Sequence, residues 1–241
     1  MASLAVFDFD QTIVDADSDA TIINRLREKQ PPPEWDAGNN DWTPYMSDVF
    51  EHAYSAGLSP TEILECIASM PPTPGAERLL TTLAARGWDV LVLTDANSVF
   101  VDHWLKTHGL KDAVTGVVTN RAFWRNGRLY IEPCMRPGAD PDRPRCPRCP
   151  DNLCKARALA AWRAARPQPY TRLVYVGDGR NDYCPALSLP PQATVFPRCG
   201  YRLDQLLKSR PPLAAAVVPW DTCHTITREL FPDDPTVDAA H

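Results

Sequence analysis

The sequence has no apolar stretch approaching the roughly 20 residues that a membrane-spanning helix requires. It also lacks a basic run interleaved with aromatic residues, and its net charge is −5, so the electrostatic signature of nucleic-acid binding is missing. The N-terminus has no basic segment followed by an apolar core, so no secretory signal is predicted. We therefore expect a cytoplasmic protein that binds neither membranes nor nucleic acids.

The length and the cysteine content set further limits. A chain of 241 residues, 44% of them hydrophobic, suits one core domain with a smaller addition. Eight cysteines would suit disulfides in a secreted protein, but without a signal peptide reduced thiols or a metal site are favoured. The 25 prolines are concentrated in short connectors, at 31–33, 71–74, 133–150 and 211–219.

Short apolar runs alternate with amphipathic segments along the chain. The runs predict strands, and the segments between them have the spacing of helices. This alternation predicts an α/β fold with a Rossmann-like parallel sheet and right-handed crossovers. The main strand candidates are 4–9, 90–93, 114–119, 173–176 and 193–196.

The segment 15–74 contains three helical patterns and no predicted strand. We predict that it forms a helical cap inserted after the first strand, while 1–14 and 75–232 form the α/β core. Within the core, Asn126-Gly127 between two β-prone runs predicts a hairpin over 123–131. The hairpin and the Pro- and Cys-rich loop after it make a small insert at about 121–150. The acidic tail, 233–241, is predicted to fray.

Two carboxylates close the first apolar run, in the stretch Val6-Phe-Asp-Phe-Asp10-Gln-Thr12. Where the strand turns, Asp8 and Asp10 are expected to approach one point, and a hard cation with oxygen ligands, such as magnesium, would offset their repulsion. A calcium loop beginning at Asp15 is the first alternative. It fails, because Ala20 stands where the EF-hand needs glycine and Leu26 where it needs glutamate.

Further polar residues follow the other predicted strands. Thr94 and Asp95 follow one strand, Asp178 and Asp182 follow another, and Lys155 lies in the first turn of a predicted helix. Carboxyl ends of parallel strands meet at one edge of the sheet, which is where ligands bind in such folds. The combined set predicts one site there.

This set of side chains suits phosphoryl transfer. A carboxylate can act as the nucleophile, and Asp10 as the acid and then the base. The Thr94 hydroxyl and the Lys155 ammonium would hold the charged phosphoryl oxygens. Asp178 is expected to bind the metal, and Asp182 to orient Lys155 or a metal-bound water.

The motifs "FDFDQTIVDADSD", "PxTPG", "LTDAN", "CPRCPDNLCK" and "YVGDGRNDYCP" resemble one family within the haloacid dehalogenase superfamily, over about residues 4–220. This is the family of phosphoethanolamine/phosphocholine phosphatases and their pyridoxal phosphate phosphatase relatives. The resemblance implies Asp8 as nucleophile, Asp10 as proton donor, and magnesium on Asp8, the Asp10 carbonyl and Asp178. Asn181 and Asp182 would support these ligands.

The resemblance also implies that Asp19 and Asp95 bind the head of the substrate. Acids suit a cationic choline or ethanolamine group. Trp42 and Tyr45 could add cation–π contacts, although a place in the core is the favoured interpretation of both. Phosphoethanolamine and phosphocholine are the favoured substrates, and pyridoxal 5′-phosphate is the alternative because "NSVF" at 97–100 resembles that branch. A pyrophosphatase, a phosphomutase and a non-catalytic binding protein stay open, and the oligomeric state is not predicted.

Two features depart from the family pattern. Gln11 stands where relatives often carry Glu or Asn. Relatives also usually carry histidines shortly before the first cysteine of the C-x-x-C motif, whereas the corresponding stretch here, 135–145, has none. A structural zinc ion is a further hypothesis, held by Cys146, Cys149 and Cys154, with Cys134 as the candidate for a fourth ligand. The alternative is reduced thiols that brace the loop before Lys155, and Cys184 and Cys199 are expected to be structural.

Overall fold

The computed structural model describes residues 2–36, 42–135 and 146–233. These residues form a seven-stranded sheet. The strands are β1 (Ser3–Phe7), β2 (Asp89–Asn97), β3 (Gly116–Arg125), β4 (Arg128–Glu132), β5 (Arg172–Gly177), β6 (Thr194–Pro197) and β7 (Ala216–Val217). Their order in the sheet is β4-β3-β2-β1-β5-β6-β7. Every neighbouring pair is parallel except β3 and β4. The prediction of an α/β fold with a parallel sheet is confirmed.

Helices cover both faces of the sheet. Side chains of a strand alternate between its two faces, and the apolar residues of β1 are buried on both. On β1, Ala5 and Phe7 join one hydrophobic cluster, while Leu4 and Val6 join the other. The helices are α1 (Ser18–Arg27), α2 (Trp42–Ser55), α3 (Pro60–Ala68), α4 (Ala76–Ala85), α5 (Ser98–Thr107), α6 (Lys155–Ala164), α7 (Tyr183–Leu187), α8 (Arg202–Lys208) and α9 (Cys223–Leu230). The first cluster includes residues of α4, α5 and α9, and the second includes residues of α6, α7 and α8.

The helices α1, α2 and α3 lie in the segment predicted to be the cap. A capping box between Ser59 and Glu62 begins α3, with Pro60 at its first position; such caps contribute about 1 kcal/mol. Ile22 and Met46 share a hydrophobic cluster with Phe100 of the core. The insert is therefore packed on the core, and its closing over the site as a cap stays a prediction.

The predicted hairpin is present between β3 and β4. Asn126 and Gly127 have φ values of 51° and 82°, which a two-residue type I′ turn requires. The separate strand expected at 114–119 is part of β3, which runs continuously into this hairpin. The rest of the predicted insert at 136–145, and the tail at 234–241, lie outside the described residues.

Some boundaries differ from the sequence prediction. β2 continues to Asn97 with an irregular register after Leu93, so Thr94 and Asp95 lie within the strand and not after it. The helix expected from residue 152 begins at Lys155. The short elements β7, α7, α8 and α9 were not predicted, since their apolar patterns are brief. In the described parts of the chain, no helix has the length and apolar character to cross a bilayer.

Candidate active site

Asp8 lies directly after β1, at the carboxyl edge of the sheet. Its backbone amide donates to the carbonyl of Val176 (3.0 Å), which continues the pairing with β5. Asp8 is buried, with its side chain 5% exposed. Carboxylate oxygens of Asp8, Asp178 and Asp182 all lie within 4.8 Å of one another. The topology therefore brings together acids that are about 170 residues apart in the sequence, as the strand-end argument predicts.

Lys155, the first residue of α6, is buried beside these acids and is 1% exposed. Its Nζ donates to Asp8 Oδ2 (2.5 Å) and to Asp182 Oδ1 (2.8 Å). Burial lowers the pKa of the Lys155 ammonium, but the carboxylates of Asp182 and Asp8 outweigh this and hold the pKa above its usual range. Lys155 is therefore charged and fixes the position of Asp8.

Asp182 has hydrogen-bond partners on both carboxylate oxygens. Oδ1 accepts from the hydroxyl of Tyr175 (2.6 Å) as well as from Lys155. Oδ2 accepts from the backbone amides of Asp178 (3.1 Å) and Gly179 (2.9 Å). Asp182 is thus placed to orient Lys155 and the turn after β5. Tyr175 was not anticipated from the sequence, because a buried tyrosine in a strand has the pattern of a core residue.

The acids leave an excess of negative charge, since one ammonium faces three carboxylates. Burial and the neighbouring Asp182 raise the pKa of Asp178 to about 7. Burial also raises the pKa of Asp8, while Lys155 opposes that change. A divalent cation with oxygen ligands would stabilise the ionised forms. Because each carboxylate oxygen of Asp182 already accepts two hydrogen bonds, the side chains that fit such an ion are those of Asp8 and Asp178.

Asp10 faces the first helix of the insert. Its carboxylate accepts hydrogen bonds from the backbone amide and the hydroxyl of Ser18, both at 2.9 Å. Burial raises its pKa, and the charges of Asp17 and Asp19 add to the increase. A carboxyl group that retains its proton is suited to protonate a leaving oxygen.

A cavity of about 270 Å³ opens above these residues. Its size suits a small metabolite, since sites for drug-sized ligands have about 300–1,000 Å³. Thr94, Lys155 and Asp182 do not line it. Thr94 is buried, and its hydroxyl accepts from the amide of Ala96 (3.2 Å). The lining residues are Asp8, Asp10, Gln11, Asp17, Asp19, Trp42, Asp95, Ala96, Asp178, Gly179 and Asn181.

Trp42 packs against the hydrophobic core, as expected, and it also forms part of the cavity wall. Its indole Nε1 donates to Asp19 Oδ2 (2.6 Å). The other oxygen of Asp19 has no hydrogen-bond partner among the described residues, although the residue is only 8% exposed. Burial raises the pKa of Asp19 to about 7, against the effect of the Trp42 hydrogen bond. Tyr45 is half-buried and packs against Trp42, with ring centroids 5.1 Å apart.

Arg198 holds the loop that follows β1, and sequence reasoning missed it. Its guanidinium donates to the carbonyl of Gln11 (2.7 Å) and to a carboxylate oxygen of Asp15 (2.5 Å). Gln11 has a φ of 53°, which costs energy in a residue with a side chain. The Arg198 contacts stabilise this conformation, and the loop places Asp10 and Gln11 at the cavity.

The chain is similar over most of its length to known phosphatases. A family model described as "Putative Phosphatase" matches residues 3–233. Pyridoxal phosphate phosphatase PHOSPHO2 of Rattus norvegicus is 35% identical over 242 residues, which are 95% of this chain and 98% of that protein. The phosphoethanolamine/phosphocholine phosphatase of Homo sapiens is 31% identical over 240 residues, 94% of this chain and 87% of that protein.

The fold is also found in solved structures. A phosphoserine phosphatase in its apo form superposes with a TM-score of 0.59 at 18% identity, covering 97% of this chain and 99% of that one. At this identity the likeness concerns the fold alone. The family match, the relatives and the fold agree with the resemblance noted in the sequence. The chain therefore belongs to the "Putative Phosphatase" family, within the phosphatases of the haloacid dehalogenase superfamily.

Proposed function

We propose that this phosphatase hydrolyses a small phosphomonoester with a cationic head through an aspartyl-phosphate on Asp8. The observation that carries the proposal is the position of Asp8, buried below the cavity and held at 2.5 Å by the Lys155 ammonium. The proposed reaction forms a bond from an Asp8 carboxylate oxygen to phosphorus. Asp10 gives its proton to the ester oxygen as that bond breaks.

The second half of the reaction uses the same two residues. A water molecule attacks phosphorus and loses its proton to Asp10, and the Asp8–phosphate bond breaks to release inorganic phosphate. Lys155 keeps its charge throughout, because the Asp182 carboxylate stabilises it even while Asp8 is bonded to phosphorus. Its ammonium offsets the negative charge that gathers at the phosphoryl group. Thr94 lies on the adjacent strand, where its hydroxyl is proposed to hold a phosphoryl oxygen.

Magnesium is the cofactor typical of this superfamily, and the oxygen donors at the site suit it. Asp8, Asp178 and the backbone carbonyl of Asp10 are the proposed ligands. When bound, the ion neutralises charge, which allows an anionic phosphate to approach an anionic carboxylate. Asn181 and Asp182 are proposed to support the turn that carries Asp178.

The cavity supports a cationic substrate head. Six of its lining residues are aspartates, and no lysine or arginine among the described residues lines it. After the proposed roles of Asp8, Asp10 and Asp178, three acids remain: Asp17, Asp19 and Asp95. The indole of Trp42 adds a surface suited to a cation–π contact. Phosphoethanolamine and phosphocholine are therefore the favoured substrates.

Pyridoxal 5′-phosphate is the second candidate. The flat indole of Trp42 at the cavity wall offers a stacking surface for a pyridine ring. Relatives that carry the name pyridoxal phosphate phosphatase are 33–36% identical to this chain. The aromatic wall suits either ligand, whereas the acidic wall favours the cationic amino-alcohol esters.

The test is phosphate release from a panel of esters, with and without magnesium. The panel holds phosphoethanolamine, phosphocholine, pyridoxal 5′-phosphate, thiamine monophosphate, pyrophosphate and an aryl phosphate. We expect magnesium-dependent turnover with an amino-alcohol ester preferred, and we expect Asp19→Asn to raise KM for that ester more than for the aryl phosphate. A preference for pyridoxal 5′-phosphate would overturn the substrate assignment, and no release from any ester would overturn the reaction.

A further inference from the structure

Four cysteine sulfurs meet beside the active site. The Sγ atoms of Cys146, Cys149, Cys154 and Cys184 all lie within 4.8 Å of one another. The Cys149–Cys154 pair is separated by 3.5 Å and the Cys146–Cys184 pair by 3.7 Å. The four cysteines come from three separate places: the loop before α6, the residue that precedes α6, and α7.

These distances match a single ion held by four thiolates. A tetrahedral site with zinc–sulfur bonds of about 2.3 Å has sulfurs about 3.8 Å apart. A disulfide needs sulfurs about 2.05 Å apart, which neither pair approaches. All eight cysteines of the chain are free in the structure. We propose that Cys146, Cys149, Cys154 and Cys184 bind one structural zinc ion.

The fourth ligand differs from the sequence hypothesis. Cys134 is exposed and is not a member of this cluster. Cys184 takes its place. It lies in α7, which follows β5 in the sequence, so the spacing of the cysteines gives no sign of it, and it was expected to be an ordinary structural cysteine. Four protein ligands leave no open position, and closed sites of this kind are structural and not catalytic.

The cluster connects two segments of the active site. Cys154 immediately precedes Lys155, and Cys184 lies two residues after Asp182. Lys155 and Asp182 are joined by a hydrogen bond of 2.8 Å. An ion shared by Cys154 and Cys184 would fix the start of α6 against the start of α7. The proposed zinc would therefore stabilise the Lys155–Asp182 pair that positions Asp8, and its four cysteine ligands do not line the cavity.

The first experiment measures zinc bound to the purified, folded protein by elemental analysis after dialysis against a weak chelator. We expect about one zinc per chain in the wild type and in the control Cys134→Ser, and a loss of most of it in Cys184→Ser. Wild-type protein without zinc, or Cys184→Ser with full zinc, would overturn the proposal. Loss of zinc in Cys134→Ser would overturn the assignment of the fourth ligand.

A second experiment needs no variant, so a folding defect in Cys184→Ser does not affect it. Cys146 and Cys149 are only half-buried, so burial alone does not protect them from alkylation. In native protein, peptide mapping after iodoacetamide treatment is expected to find both unmodified while Cys134 reacts. A strong chelator is expected to make both reactive, and cobalt in place of zinc is expected to give the spectrum of a four-thiolate site. Equal reactivity of all three cysteines without chelator would contradict a bound ion. Neither measurement depends on phosphatase activity.

Discussion

Replacing Gly177 by alanine tests how the active site positions Asp182. Gly177 is the last residue of β5, and its φ lies outside the left-handed region, so an alanine backbone fits there. A methyl group would lie 2.4 Å from Asp182 Oδ2 and 2.5 Å from its Cγ. Ordinary van der Waals contact begins at 3.4 Å, so the carboxylate would have to move by about 1 Å.

The cost follows from the partners of Asp182. A shift of about 1 Å away from Gly177 breaks the bonds that Oδ2 accepts from the amides of Asp178 and Gly179, and it disturbs the contact with Lys155. Hydrogen bonds to charged groups contribute about 1.5–3 kcal/mol each, so the loss of these two bonds is expected to destabilise the fold by about 3–6 kcal/mol. Misplacing catalytic groups by about 1 Å costs on the order of 100-fold in rate, which is the expected fall in kcat.

The assay combines urea unfolding with magnesium-dependent hydrolysis of an aryl phosphate. A double-mutant cycle identifies the route of the effect. If Gly177→Ala acts by displacing the Asp182 carboxylate, the same change in an Asp182→Ala background has a much smaller effect on kcat. Wild-type kcat in Gly177→Ala would refute the reasoning, and so would full additivity of the two changes.

Three further predictions follow from contacts at the site. Tyr175→Phe removes the 2.6 Å bond to the Asp182 carboxylate and leaves Lys155 in place; urea unfolding is expected to show a loss of about 1.5–3 kcal/mol, and unchanged stability would contradict the contact. Burial raises the pKa of Asp19 to about 7, so this carboxyl ionises as pH rises through 7; the KM of phosphocholine, divided by that of an aryl phosphate without a cationic head, is expected to fall over this range in the wild type. In Asp19→Asn the ratio is expected to stay flat, and a parallel fall would assign the effect to another group. Removing divalent ions with a chelator is expected to abolish turnover and added magnesium to restore it, whereas full activity in the chelator would contradict a metal requirement.

The parts of the site that sequence could predict are those carried by local motifs. Asp8 and Asp178 each follow an apolar strand directly, and parallel strands bring their carboxyl ends to one edge. The order of these motifs along the chain was enough to indicate the family. The hairpin was predictable for a similar reason, because Asn126-Gly127 specifies its own turn.

The remaining features depend on contacts between distant segments. Trp42 has the same apolar pattern whether it faces the core or the cavity wall, and only the tertiary fold places it against Asp19. Arg198 reaches Gln11 across 187 residues of sequence. Cys184 joins the cysteine cluster because α7 packs beside α6, which no spacing rule indicates. Pairwise packing of this kind follows from the whole sheet order and not from any one motif.

The most direct test of the central claim is acid quenching during turnover, followed by intact-mass analysis of the wild type and Asp8→Asn. We expect a phosphorylated wild-type chain, with the phosphoryl group mapped to Asp8. In Asp8→Asn, which is expected to fold and to bind magnesium weakly, we expect neither the phosphorylated species nor turnover. Wild-type-like phosphate release by Asp8→Asn would contradict the account, because the nucleophile would then lie elsewhere.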